Sequence, residues 1–142
     1  MAIPTALSLE FVTPERAIVH EQVDEVELPG EDGYFGVLPG HAPLLAALQT
    51  GQMWYRKGGE RKFAFIAGGF AEVLPNRVSI LAQVAERAED IDVQRAEASK
   101  RRAEEKLAKA TVVTDFDAER ARIALLRAIT RLEITKHSRP RN

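Results

Sequence analysis

The feature that most constrains this fold is a change of hydrophobic period near residue 90. Between Leu7 and Val84 apolar residues alternate in short runs separated by turn residues, as in Leu7, Leu9 and Phe11 or in Val26 and Leu28. That is the two-residue period of half-buried strands. From Asp90 the step becomes three and four: Val93, Ala96, Lys100, Ala103, Leu107 and Ala110, then Ala118, Ala121, Leu125, Ala128 and Leu132. A strand puts every second residue on one face and a helix every third or fourth, so one element type cannot serve both stretches. The chain is therefore expected to be α+β. An N-terminal antiparallel β-sandwich over residues 1–88 would precede a C-terminal antiparallel two-helix hairpin over 89–142.

Local signals refine this division. In QMWYRK-GG-ERKFAFI the pair Gly58-Gly59 supplies the positive φ that a two-residue hairpin turn demands. Pro75-Asn76 turns a second hairpin. The prolines and glycine of VLPGHAPLLAAL argue for a loop crossing between sheets, and tight turns are expected at Pro29-Gly30 and Pro39-Gly40. The first helix should run from about Ile91 to Lys109 with Asp90 as its cap. The second should run from Asp115 to about Thr135, capped by Thr114, with acids near its positive end. The chain after His137 is expected to fray. Both helix seams are rich in alanine, which contributes well under half the burial energy of leucine, so the hairpin is expected to open readily.

Charge is divided unevenly along the chain. Residues 1–86 carry 6 Lys and Arg against 11 Asp and Glu, while residues 87–142 carry 14 against 10. A basic tail on an acidic body suggests an acidic partner. Nucleic acid fits poorly, because acids interleave with the bases and Phe116 is the tail's only aromatic. No run of about 18 apolar residues spans a membrane, and the first residues lack the basic and apolar regions of a signal peptide. A cytosol-facing location is expected.

Catalytic equipment is absent from the pattern. There is no cysteine, and His20, His41 and His137 have no ligand spacing, so no metal site is expected. No GxxxxGK[ST], GxSxG or GxGxxG motif occurs. The carboxylates of EQVDEVE alternate along one strand and read as its solvated face. The residues alone point to a non-catalytic adaptor, which leaves open a free-standing or chaperone-like binding module.

LPGEDGYFGVLPGHAPL (28–44), with IAGGFAEV (66–73) and RVSILAQVAE (77–86), resembles the epsilon subunit of bacterial F-type ATP synthase, homologous to mitochondrial delta. The resemblance covers about residues 7–135. It implies a central-stalk subunit whose sandwich packs on the gamma subunit and sits on the c-ring, coupling proton-driven rotation to the catalytic head. Glu31, Asp32 and His41 are then the c-ring contacts, although Tyr34 stands where many members have glutamate. The membrane would be met only through the complex, at the cytoplasmic face of the bacterial cell membrane.

IDVQRA (91–96) is similar to that family's [I/L]DxxRA signature for regulatory ATP, with no other cofactor required. The resemblance places ATP binding on Glu86, Asp92, Arg95, Ala96, Arg102, Arg127 and Arg131. Arg127 and Arg131 stand four apart on one helix face, a like-charge arrangement that costs a few tenths of a kcal/mol unless an anion joins them. The same arginines also read as interhelical salt bridges of small worth. With ATP the hairpin would stay folded. Without it the second helix would extend, and Arg120, Arg122, Arg127 and Arg131 would meet acidic parts of the alpha and beta subunits and inhibit ATP hydrolysis.

Overall fold

A computed structural model describes residues 3–109 and 115–138. Backbone contacts divide the chain after Arg87 into two compact units. The first contains β1 (Leu7–Val12), β2 (Ala17–Val23), β3 (Glu25–Gly30), β4 (Gly33–Val37), β5 (Leu44–Leu48), β6 (Gly51–Lys57), β7 (Glu60–Leu74) and β8 (Arg77–Arg87). Hydrogen bonds link them in the order β2-β1-β8-β7-β5-β3-β4, with β6 bridging β3 and β7.

The long β7 organises this unit. Glu60 to Ile66 pair with β6, and Gly69 to Val73 pair with β5. β8 follows β7 along both halves. The change of partner falls at Gly68 and Gly69, whose φ values of +77° and +126° are closed to most side chains. A Cβ on Gly69 would also run into the carbonyl oxygen of Leu81.

Alternation along the strands builds the core. Leu9 opposes Val78, which opposes Val73; Phe11 opposes Ile80, which opposes Ala71. All six are buried. Each large side chain among them contributes about 1.5–3 kcal/mol of burial.

Several expectations need correction. The sheet is not wholly antiparallel, because β1 runs parallel to β8 from Ser8 to Val12, and Ser8 N–H donates to Asn76 O at 2.9 Å. Leu44 to Leu48 form a strand rather than a loop: the chain straightens directly after Pro43, where the missing N–H no longer matters. Pro29 and Gly30 end β3, and the first turn is Glu31-Asp32. The glycine hairpin is as expected in register, but it is Gly58, at φ +63°, that supplies the positive value, the II′ pattern. The acidic strand is not simply solvated. Arg56 bonds Glu25 at 3.1 Å and lies 3.6 Å from Asp24, which also accepts from Gly58 N–H at 2.7 Å, and Lys57 lies 3.6 Å from Glu21.

The second unit is a 3-10 turn (Ala88–Asp90), α1 (Val93–Ala108) and α2 (Asp115–Thr135). The cap of α1 is Asp92, not Asp90: Asp92 Oδ1 accepts Arg95 N–H at 3.0 Å, while Asp90 closes the preceding turn. The alanine seam forms as the period demanded. Ala96 and Ala103 of α1 and Ala121 and Ala128 of α2 are all buried. Leu107, Leu125 and Leu132 are only half-buried beside them. The expected Thr114 cap, the seam position Ala110 and the end of the tail lie outside the described residues.

Candidate functional site

The antiparallel helices set two rows of polar side chains along one edge of their seam. On α1, Arg95, Ser99, Arg102 and Lys106 recur at steps of four, three and four. On α2, Arg120, Ala124, Arg127 and Arg131 do the same. Two cavities open between the rows. One, of about 240 Å³, is lined by Ser99, Arg102, Lys106, Asp117, Arg120 and small alanines. The other, of about 350 Å³, is lined by Ser99, Arg120, Ile123, Ala124, Arg127 and Arg131. Ser99 Oγ accepts from Arg102 Nη2 at 3.1 Å. Arg127 Nε is buried with no hydrogen-bond partner, an arrangement that costs roughly 1–3 kcal/mol unless something accepts from it.

The expected nucleotide residues are gathered only in part. Arg127 and Arg131 share a cavity, and Arg102 lines its neighbour. Asp92 and Arg95 stand at the N-terminal turn of α1, with Ala96 buried in the seam one residue on. Part of the Asp92 carboxylate is occupied as the helix cap. Glu86 belongs to the other unit, on β8 opposite Phe65. Among the arginines expected to meet the catalytic head, Arg120 joins Arg127 and Arg131 on the cavity edge. Arg122 points about 200° around the helix from Arg120, given 100° per residue, and pairs with Glu119 at 2.9 Å. Ser99 and Lys106 were not anticipated. Their signal was the step of four, three and four that they share with Arg95 and Arg102.

The sandwich carries a second candidate surface. Glu31 and Asp32 form the β3–β4 turn at the mouth of a cavity of about 360 Å³ that includes Tyr34, Phe35, Leu44 and Leu45 among its walls. Tyr34 Oη accepts Gln52 N–H at 3.2 Å, tying this end to β6. His41 does not join the two acids. It follows the Pro39-Gly40 turn at the other end of β4, where its Nδ1–H donates to Ala42 O at 2.7 Å and Gly40 N–H donates to Pro75 O.

One face of this unit is apolar without being covered. Val12, Leu81, Phe70 and Ala47 oppose one another directly across β1, β8, β7 and β5. Phe70 is 58% exposed and Leu81 54%, and Leu45 on the adjacent row is 73% exposed. Scattered surface leucines need no explanation, whereas a cross-strand row with an exposed leucine and phenylalanine at its centre marks a contact surface. Among the described residues no cluster of His, Cys, Asp and Glu could hold a metal ion, and no helix is long and apolar enough to cross a membrane.

Comparison with known proteins gives a consistent result. The β-sandwich domain of the ATP synthase delta/epsilon chain matches residues 6–88, and the long α-helix domain of that chain matches residues 89–136. The ATP synthase epsilon chain of Nitratidesulfovibrio vulgaris is 48% identical over 91% of this chain and 95% of its own length. That of Syntrophobacter fumaroxidans is 47% identical over 92% and 96%. A chain in the cryo-EM structure of Euglena gracilis mitochondrial ATP synthase, containing OSCP, F1 and the c-ring, superposes with a TM-score of 0.82. It is 26% identical and covers 96% of this chain and 85% of its own. A chain in the central stalk and c-ring structure of the Tetrahymena thermophila enzyme, 14% identical with a TM-score of 0.60, shares the fold.

Proposed function

Because the chain belongs to the delta/epsilon family of ATP synthase subunits, we propose that it acts as a non-catalytic foot of the central stalk, at the cytoplasmic face of the bacterial membrane. The observation that carries this reading is the uncovered row of Phe70 and Leu81 on a sandwich whose core is already complete. Such a row is stabilised when a partner covers it, and the gamma subunit is the partner proposed. At the β3–β4 turn, Glu31 and Asp32 face the polar loops of the c-ring, with Tyr34 supplying an aromatic in place of a third acid. Rotation of the ring would then reach the catalytic head through these two contacts.

The hairpin is the regulatory part of this proposal. Its alanine seam buries little area per residue, so the folded form is held weakly. Regulatory ATP would bind at the hairpin, its phosphates bridging Arg127 and Arg131, with Arg102, Arg95 and Ala96 nearby on α1 and with Asp92 toward the nucleoside. ATP shifts the hairpin toward the folded state only by binding that state better. In its absence α2 extends, and Arg120, Arg122, Arg127 and Arg131 engage the alpha and beta subunits.

Deleting the residues after Glu89 tests both halves at once. Stalk assembly, read by co-purification with gamma from native membranes, should persist, while ATP hydrolysis by the complex should rise. Loss of co-purification would overturn the sandwich as the docking unit. Unchanged hydrolysis would overturn the hairpin as an inhibitor.

A further inference from the structure

The hairpin is not closed with equal firmness along its length. Between Ser99 to Lys106 on α1 and Asp117 to Arg131 on α2 the helices leave the two cavities of about 240 and 350 Å³, and the buried seam residues are alanines. The base of the hairpin is built differently. There the end of α2 packs against the 3-10 turn, and Ala88, Ile91, Ile134 and Thr135 are all buried. Ile134 is fully buried, while Ile123, Leu126 and Ile129 on the same helix are 45%, 52% and 40% exposed.

The last turn of α2 is also tied down by its own polar groups. Thr135 is the one buried polar side chain among the described residues, and its hydroxyl donates to Leu132 O at 2.7 Å, so its burial strands no donor. His137 N–H donates to Ile134 O at 3.0 Å. Ser138 donates to Thr135 O from its N–H at 3.1 Å and from its hydroxyl at 3.0 Å. A helix end ordinarily leaves its last carbonyls open, whereas these two are held beside the buried isoleucine.

We propose that this base is a latch: Ile134, seated at the 3-10 turn, sets the threshold for opening the hairpin, and the alanine seam only aligns the helices. The inference rests on the reading above of the hairpin as a part that opens, and it moves the control of that opening to the base. Isoleucine takes a branched butyl group out of water where alanine takes one methyl, and dispersion with close-packed neighbours adds to the difference. A partner that draws α2 away must therefore unseat Ile134. The loosely packed seam then gives little further resistance.

The chain has no cysteine, so one introduced thiol reports opening at the place where it stands. Thr135→Cys puts it at the base and Ala121→Cys in the seam. The free full chain is treated with a thiol reagent under native conditions, and each rate is normalised to that of the denatured chain. The base thiol should react about tenfold more slowly than the seam thiol, or slower still. On the Thr135→Cys background, Ile134→Ala should speed labelling about 30-fold or more, and Ile134→Val about two- to tenfold. Leu126→Ala, which trims an exposed side chain of the same helix, should leave the rate within about threefold. Circular dichroism checks that each variant keeps its helices, and the valine variant decides the matter where the alanine variant does not. Equal labelling at the two positions, or no acceleration in either Ile134 variant, overturns the latch. In the assembled complex Ile134→Ala should deepen inhibition of ATP hydrolysis. If labelling accelerates as expected while hydrolysis is unchanged, the latch stands and the inhibitory reading falls.

Discussion

Replacing Phe70 with serine removes the most prominent ring of the uncovered row, and the consequence can be worked from its exposure. Phe70 is 58% exposed in the free chain. An aromatic side chain buries about 150–250 Å² when fully covered, so a partner that seals this one removes about 90–145 Å² from water. At about 25 cal/mol per Å² that amounts to about 2–3.5 kcal/mol, or about 30- to 400-fold in Kd. Truncation also disturbs neighbours, so Leu81→Ser, directly opposite on β8, should cost less than additively when combined with it. The free chain should scarcely notice. Its loss is the cross-strand pair with Leu81, about 0.2–1 kcal/mol. Calorimetric titration of the wild-type and serine chains into a gamma-containing subcomplex reads the effect directly, with thermal melting of each free chain alongside. Binding within threefold of wild type, with melting unchanged, would refute the reasoning that this row is the docking surface.

Two further perturbations address the fold. Gly69→Ala places a Cβ at φ +126° against the Leu81 carbonyl. It should lower stability by at least about 1–3 kcal/mol, a thermal midpoint drop of several degrees or more; an unchanged melt would show that β7 is not held there. Asp92→Ala should cost about 1 kcal/mol in protection of the first turn of α1, whereas Asp92→Asn should cost little, because asparagine caps as well as aspartate. Hydrogen exchange at Val93 to Arg95 separates the two. Equal loss in both variants would mean that the charge, not the cap, was being measured.

Local periodicity carried the strand and helix division well. Leu7, Leu9 and Phe11 alternate in sequence and are fully buried in the structure, and the alanine seam occupies the positions its step implied. What the chain does not announce is pairing between distant segments. Nothing near Ser8 signals a parallel partner some seventy residues away, because that register is fixed by the core rows Leu9–Val78 and Phe11–Ile80 only once both strands exist. β5 was hidden for another reason. Two prolines lie just outside it, and Leu44-Leu45-Ala46-Ala47-Leu48 has no alternation to reveal a strand with one uncovered face. Both Asp90 and Asp92 are capping residues by type. The choice between them is made by the 3-10 turn, which consumes Ala88 to Asp90 before the helix can begin. The arginines along the hairpin cavities were legible as a helical face, while the place of Ser99 beside Ala124 on the cavity wall depended on how the two helices pair.

The shared strand β7 has a mechanical meaning for the rotation-coupling role proposed above. A pull along its axis does not peel one hydrogen bond at a time. It shears the ladders to β8 and to β5 or β6 together, so the load spreads over three neighbours before any bond carries it alone. The positive-φ glycines at 68 and 69 mark the point where β7 passes from its β6 ladder to its β5 ladder. Any give at this break is limited by β8, whose Leu81 and Ala82 lie against Gly69 and whose Gln83 lies against Gly68.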